Sequence, residues 1–273
     1  MGKSSIRTKV LLCALVIAEL LFTGCGSVPL TGRRQVLLVS DKEVFEAGLT
    51  QYNEYIAEAQ LSSDAKATAM VKSVGKRLSE ATERYLKANG FESELANLQW
   101  EFNLVKNNEV NAFCMPGGKI VVYEGLLSVA QTEAELAAVV GHEIGHAVAK
   151  HSNERMSQQI MTQYGMAILS QALSQKSAAV KTVATSVFGL GAQVGLMLPY
   201  SRKHEYEADY MGIVFMEIAG YDSNSALEFW TKMAAGGGNT NDFLSTHPSD
   251  NKRIAQISKR IPEAQAIGKS MNQ

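Results

Sequence analysis

The sequence predicts an α+β fold, mostly α, with one small β-sheet. Three observations lead there. Apolar residues recur at helical spacing over long stretches, as in Ala67, Met70, Val71, Val74 and Leu78 behind Ser62-Ser63-Asp64. Strand alternation is confined to Trp100–Val105 and to two runs, Val110–Met115 and Lys119–Tyr123, joined by Pro116-Gly117-Gly118. Two further helices, Glu133–Lys150 and 201–220, follow the strands.

From the N-terminus, Lys3, Arg7 and Lys9 precede an apolar core, Val10–Ala18, long enough for a secretory signal and too short to span a bilayer. The run Leu21-Phe22-Thr23-Gly24-Cys25 looks like a lipoprotein cleavage site. Residues 1–24 are therefore expected to be a signal peptide, and Cys25 the lipidated residue that ties the chain to a membrane. Gly26 rather than Asp follows, which by analogy with bacterial sorting signals favours the outer membrane and a periplasm-facing chain in the cell envelope. Residues 25–40, with Pro and Gly, read as a lipidated tether, and residues 41–273 as one domain. Asp41–Ala47 suggests a short helix, and Leu126 begins the helical region leading to Glu133.

Met156–Pro199 is ambiguous. Thr182–Pro199 carries no charge, and its length alone permits a marginal membrane span. Interspersed Gly, Ser and Gln favour instead a helical hairpin packed over the Glu133–Lys150 helix. Beyond it, Ser249-Asp250 can cap a helix carrying Arg253 and Ile254.

Charge gives no sign of a polyanion partner. The net charge is −1, and a nucleic-acid footprint needs a clustered positive face, which Arg33-Arg34 is not. Of three cysteines, Cys13 would leave with the signal and Cys25 would carry lipid. Cys114 alone remains, so no intramolecular disulfide is expected, and it reads as a small buried hydrophobe.

The chemistry concentrates in His142-Glu143-Ile144-Gly145-His146. At about 100° per residue, His142 and His146 lie roughly 40° apart on one helix face, with Glu143 about 60° from His146. Two neutral imidazoles so placed form a zinc pair, one ion per chain, and the carboxylate beside them can take a proton from a water. The flanks are apolar, Ala137–Gly141 before and Ala147–Ala149 after, so the polar triad would be buried and would need partners.

A third protein ligand is required if one position stays open. The extended H-E-x-x-H-x-x-G-x-x-H pattern fails here: Ala149 and Ser152 stand where Gly and His belong, and His151 comes one residue early. In Ser201–Asp209, Glu205 and Asp209 are four apart on one face. One can ligate a metal while the other holds the free nitrogen of a ligating histidine. Glu207 points about 200° from Glu205 and is expected at the surface.

These motifs resemble the HtpX-like and CAAX-prenyl-protease-like zinc metallopeptidases: H-E-I-G-H (142–146), S-R-K-H-E-Y-E-A-D (201–209), N-A-F (111–113), P-G-G-K-I (116–120) and T-H-P-S-D-N-K-R-I (246–254). Within them the chain is most similar to a branch of periplasmic lipoproteins resembling LoiP and BepA, and to OMA-type peptidases. The resemblance implies a zincin-like metallopeptidase domain with an H-E-x-x-H active-site helix and polypeptide substrates. It implies His142, His146 and Glu205 as zinc ligands, Glu143 as general base, and Asp209 orienting His142 or His146. It makes Asn111, Ala112 and Phe113 the edge strand to which substrate adds. His247 would approach the metal, either silencing the enzyme or donating to the transition state. The implied activity is an endopeptidase of misfolded or misassembled envelope proteins. The rival is a non-proteolytic assembly factor with a latent or structural metal site. Oligomeric state is not legible.

Overall fold

The computed structural model describes residues 25–172, 201–235, 243, 247 and 251–273. The signal segment 1–24, most of the expected hairpin beyond Ala172, and Ser249-Asp250 lie outside the described residues. No described helix is long and apolar enough to cross a membrane.

Two short strands open the fold, β1 (Cys25–Ser27) and β2 (Arg34–Val36), antiparallel with Gly26 opposite Gln35. This segment was expected to be a tether. It instead packs down, with Val28, Gln35 and Val39 buried. Helix α1 runs Asp41–Glu58, well past the short helix expected from Asp41–Ala47, and Ser40 and Glu43 close its start as a reciprocal capping box. Helix α2 (Ala65–Ala88) starts from the Asp64 side chain and buries Val71, Val74 and Leu78, the apolar stripe of the sequence.

The sheet has the order β3 (Glu101–Val105), β5 (Lys119–Tyr123), β4 (Ala112–Met115). Strands β3 and β5 are parallel; β4 and β5 form the hairpin expected around Pro116-Gly117-Gly118, with Cys114 opposite Ile120. Gly117 and Gly118 adopt φ of +87° and +77°, which side-chain-bearing residues rarely take. Among the described residues β4 has a ladder partner on one side only.

Helix α3 (Glu133–Val148) is capped by a Thr132/Glu135 box and is buried nearly throughout. It ends two residues before the Lys150 of the sequence reading, because Lys150 takes φ +55° and a new helix, α4 (His151–Ala172), begins. Helix α5 (Arg202–Ile218) starts at Ser201, whose side chain accepts from the His204 N–H. Helices α6 (Asn224–Ala234) and α7 (Asn251–Met271) complete the described chain. The main core joins α2, one sheet face, α3, α5, α6 and α7 around residues such as Leu78, Ile120, Val140, Phe215 and Trp230.

Helices α3 and α5 cross backbone to backbone. A Cβ on Gly145 would sit 2.7 Å from the Ala208 carbonyl oxygen, and one on Gly212 only 2.9 Å from the His142 nitrogen. Glycine at these positions removes the side chains that hold ordinary helices 8–10 Å apart. The H-E-x-x-H face of α3 is thereby brought against the carboxylates of α5.

Candidate metal centre

His142 and His146 lie one turn apart on α3 and are 0% and 1% exposed; Glu205 and Asp209 lie one turn apart on α5 and are 0% and 4% exposed. Their atoms converge. His142 Nε2 and His146 Nε2 are 3.0 Å apart. Glu205 Oε1 is 3.3 Å from His146 Nε2, and Oε2 is 3.5 Å from His142 Nε2. His247 enters the same space, Nδ1 being 3.2 Å from His142 Nε2 and 3.3 Å from Glu205 Oε1. One donor atom from each of the four residues lies within 4.8 Å of the rest.

The donor set fits a small divalent cation. Tetrahedral ligands bonded at about 2.0–2.1 Å are separated by roughly 3.3 Å, and the contacts above cluster around that spacing. Glu143 Oε1 and Glu205 Oε2 are buried without a hydrogen bond, although Arg253 Nη1 approaches the latter at 3.0 Å in an ill-aligned ion pair. Burial and Arg253 press His142 towards neutrality, yet Glu205 and Asp209 carry its pKa upward. Burial and His142 itself push His146 well below the ordinary histidine value. The two rings face one another across 3.0 Å, so they cannot both carry a proton there, and the shared point is one a metal ion can occupy.

The His142 ring is held from behind. Asp209 Oδ1 lies 2.8 Å from His142 Nδ1, so of the two histidines open to it the structure places Asp209 on His142. Asp209 is itself gripped by Arg253, Nε to Oδ2 at 2.6 Å and Nη2 to Oδ1 at 2.8 Å. Arg253 is fully buried and stacks 3.7 Å over the Trp230 ring. Burial raises the pKa of Glu205, but His247, Arg253 and His142 outweigh it and hold the carboxylate well below its usual range.

Glu143 is 1% exposed beside this cluster, with His247 Nε2 at 3.4 Å. Burial pushes its carboxyl up to about 7, with the Glu205 charge adding to the rise and His247 opposing it. The Cys114 backbone is near enough to lower the Glu143 pKa slightly, which places β4 alongside this carboxyl. Asn111, Ala112 and Phe113 lead into and open that strand, and all three are buried. Cys114 is a free, buried thiol, as expected, and burial raises its pKa well above the usual value.

One expectation is overturned. Glu207 is not a surface residue: its side chain is 5% exposed. Thr31 donates to Oε1 at 2.5 Å, and Arg33 Nε to Oε2 at 2.7 Å. Arg33 also forks onto Glu154, at 3.0 and 2.8 Å, and His204 reaches Glu154 at 3.0 Å. Burial works against the charge on Glu154, but His204 and Arg33 prevail and hold its carboxyl at about 2. The helical angle placed Glu207 correctly, on the side of α5 away from Glu205. It could not reveal that the β1–β2 hairpin covers that side. The sequence assigns no part in the site to Arg253, although it stands inside the T-H-P-S-D-N-K-R-I stretch, nor to His151, which is out of register with a longer motif.

Comparison with known proteins bears on this geometry. A family model described as Peptidase family M48 matches residues 72–261. Mitochondrial metalloendopeptidase OMA1 of Schizosaccharomyces pombe is 33% identical, the match covering 89% of this chain and 68% of that protein. OMA1 of Arabidopsis thaliana is 39% identical over 68% of this chain and 36% of its own length. The beta-barrel assembly-enhancing protease of Escherichia coli is 28% identical over 74% of this chain and 40% of its own length. The chain thus spans about two thirds of the first relative and well under half of the other two.

Proposed function

Because the chain belongs to peptidase family M48, we propose that it is a zinc-dependent endopeptidase acting on misfolded or misassembled proteins of the cell envelope. The convergence of His142, His146 and Glu205 beside Glu143 carries the reading. Zinc, when bound, supplies Lewis acidity, polarising the scissile carbonyl and acidifying a water. Glu143 takes the proton of the attacking water and delivers it to the leaving amine, a task suited to a carboxyl raised towards neutral pH. Asp209 keeps His142 in the tautomer whose Nε2 lone pair faces the cluster. Substrate would add as a further strand to the one-sided edge of β4 near Asn111, Ala112 and Phe113, beside Glu143.

The metalloendopeptidase names of the relatives support polypeptide substrates, and the assembly-enhancing protease supports an envelope role. Attachment through a lipidated Cys25 would place the domain at a membrane surface, facing the periplasm. A latent form is favoured by one observation: His247 completes a set of four protein donors, leaving no place for water in a tetrahedral site.

A casein-cleavage assay with metal analysis tests both points. The protein should bind one zinc per chain, and a strong chelator should abolish cleavage; cleavage by demonstrably metal-free protein would sink the zinc reading. In the same assay His247→Ala should keep its zinc. If His247 closes the site, cleavage should rise several-fold; if it donates to the transition state, cleavage should fall with zinc still bound. An unchanged rate removes His247 from the mechanism.

A further inference from the structure

His146 lacks the arrangement that serves His142. Among the described residues the neighbour that its Nδ1 meets is not a carboxylate but another imidazole, His151 Nδ1, at 2.8 Å. In an unbroken helix a residue five positions on would point roughly 140° away from His146. The chain avoids this through Lys150, whose left-handed φ of +55° ends α3 and swings His151 back. A non-glycine residue pays for that conformation in strain. Here the Lys150 ammonium is secured by Asp41 at 2.7 Å and Glu94 at 2.5 Å. His151 is 0% exposed, and its other nitrogen, Nε2, lies 2.9 Å from Glu207 Oε2.

With His151 neutral, hydrogen-bond chemistry fixes the direction of this chain. Glu207 faces the Arg33 guanidinium and receives the Thr31 hydroxyl, so it is a charged carboxylate that can only accept. His151 must therefore donate through Nε2. A neutral imidazole that donates at one nitrogen accepts at the other, so His151 Nδ1 accepts from His146 Nδ1–H. The His146 proton is then on Nδ1, and its Nε2 lone pair faces the point shared with His142 and Glu205.

We propose that His151 and Glu207, clasped by Thr31 and Arg33 of the N-terminal hairpin, are the positioning residues that set the tautomer and aim of His146 as a metal ligand. The two ligating imidazoles are thereby oriented by different devices: the Asp209 carboxylate directly for His142, and a relay through His151 and Glu207 reaching back to the β1–β2 segment for His146. This rests on the metal reading above and adds residues to it.

Two measurements on the full chain test it. The first is the ring-nitrogen NMR spectrum of the zinc-loaded wild type. His151 is expected as the neutral Nε2–H tautomer; a proton on Nδ1 overturns the relay without any variant having to fold. The second is zinc affinity by chelator competition. His151→Phe keeps a ring but cannot accept, and should weaken zinc binding by about 10- to 100-fold. His151→Gln can accept from His146 and donate to Glu207, and should stay within a few-fold of wild type. Equal affinity in His151→Phe and wild type, or equal loss in both variants, overturns the proposal. The underlying reading fails separately, and visibly, if the wild type itself takes up no zinc.

Discussion

Glu143→Gln should retain one zinc per chain and lose casein cleavage by about 10²–10⁴-fold, the range that a positioned general base contributes. The amide keeps the size of the carboxylate and removes its ability to accept a proton from water. Metal retention follows from position, since Glu143 faces His247 Nε2 and the edge of β4 and is not among the four clustered donors. Stability should not suffer. Burial has already raised this carboxyl to about 7, so its ionised form is the disfavoured one in the folded protein, and the Glu205 charge adds to that. A neutral side chain relieves both effects, and the metal-free variant should melt no lower than the metal-free parent. Wild-type cleavage by a zinc-loaded Glu143→Gln protein would refute the assignment of the base.

Arg253→Met should be the most destabilising substitution near the site, costing about 3–5 kcal/mol, as expected when one partner of a buried ion pair is removed. The guanidinium is fully buried and forks onto Asp209 while approaching Glu205, so its removal leaves two enclosed carboxylates uncompensated. For a chain of this length the loss corresponds to a melting point lower by roughly 10 °C in metal-free protein. Zinc should recover part of it, because the cation offsets the same charges. Arg253→Lys should fall between the two, restoring charge without the planar fork. Melting of metal-free Arg253→Met within 2 °C or so of the parent would show that Asp209 and Glu205 do not depend on it.

The sequence disclosed this site unevenly, for a physical reason. His142, Glu143 and His146 lie within one helical turn and a half, so their common face follows from the helix pitch alone. The β4–β5 hairpin was equally local, since Gly117-Gly118 announces its own turn. Glu205 became a candidate ligand by spacing and resemblance, and α5 does bring it to the two histidines. Arg253, Glu207 and Arg33 were missed as parts of the site because their partners are remote. The residue joined to Glu207 by Arg33 Nε is 174 positions away, and Arg253 stands 44 beyond Asp209. A polar stripe on a helix looks the same in sequence whether solvent or another charged segment covers it. The full length of α1 was missed for a related reason: few of its residues are buried, chiefly Val44, Gly48 and Tyr52, so the apolar signal is sparse.

The glycines where α3 meets α5 carry a consequence for which ions the site can accommodate. With no side chain between the two backbones at Gly145 and Gly212, nothing there can rotate or compress to widen the gap. His142 and His146 ride on one rod and Glu205 on the other, so their side chains reach the shared point from two backbones held in contact, the least compliant part of a folded chain. A cation of larger radius would have to be met by side-chain rotation of Glu205 and the histidines, because the two backbones leave little room to part. The crossing should therefore narrow the range of ion sizes that the site accepts.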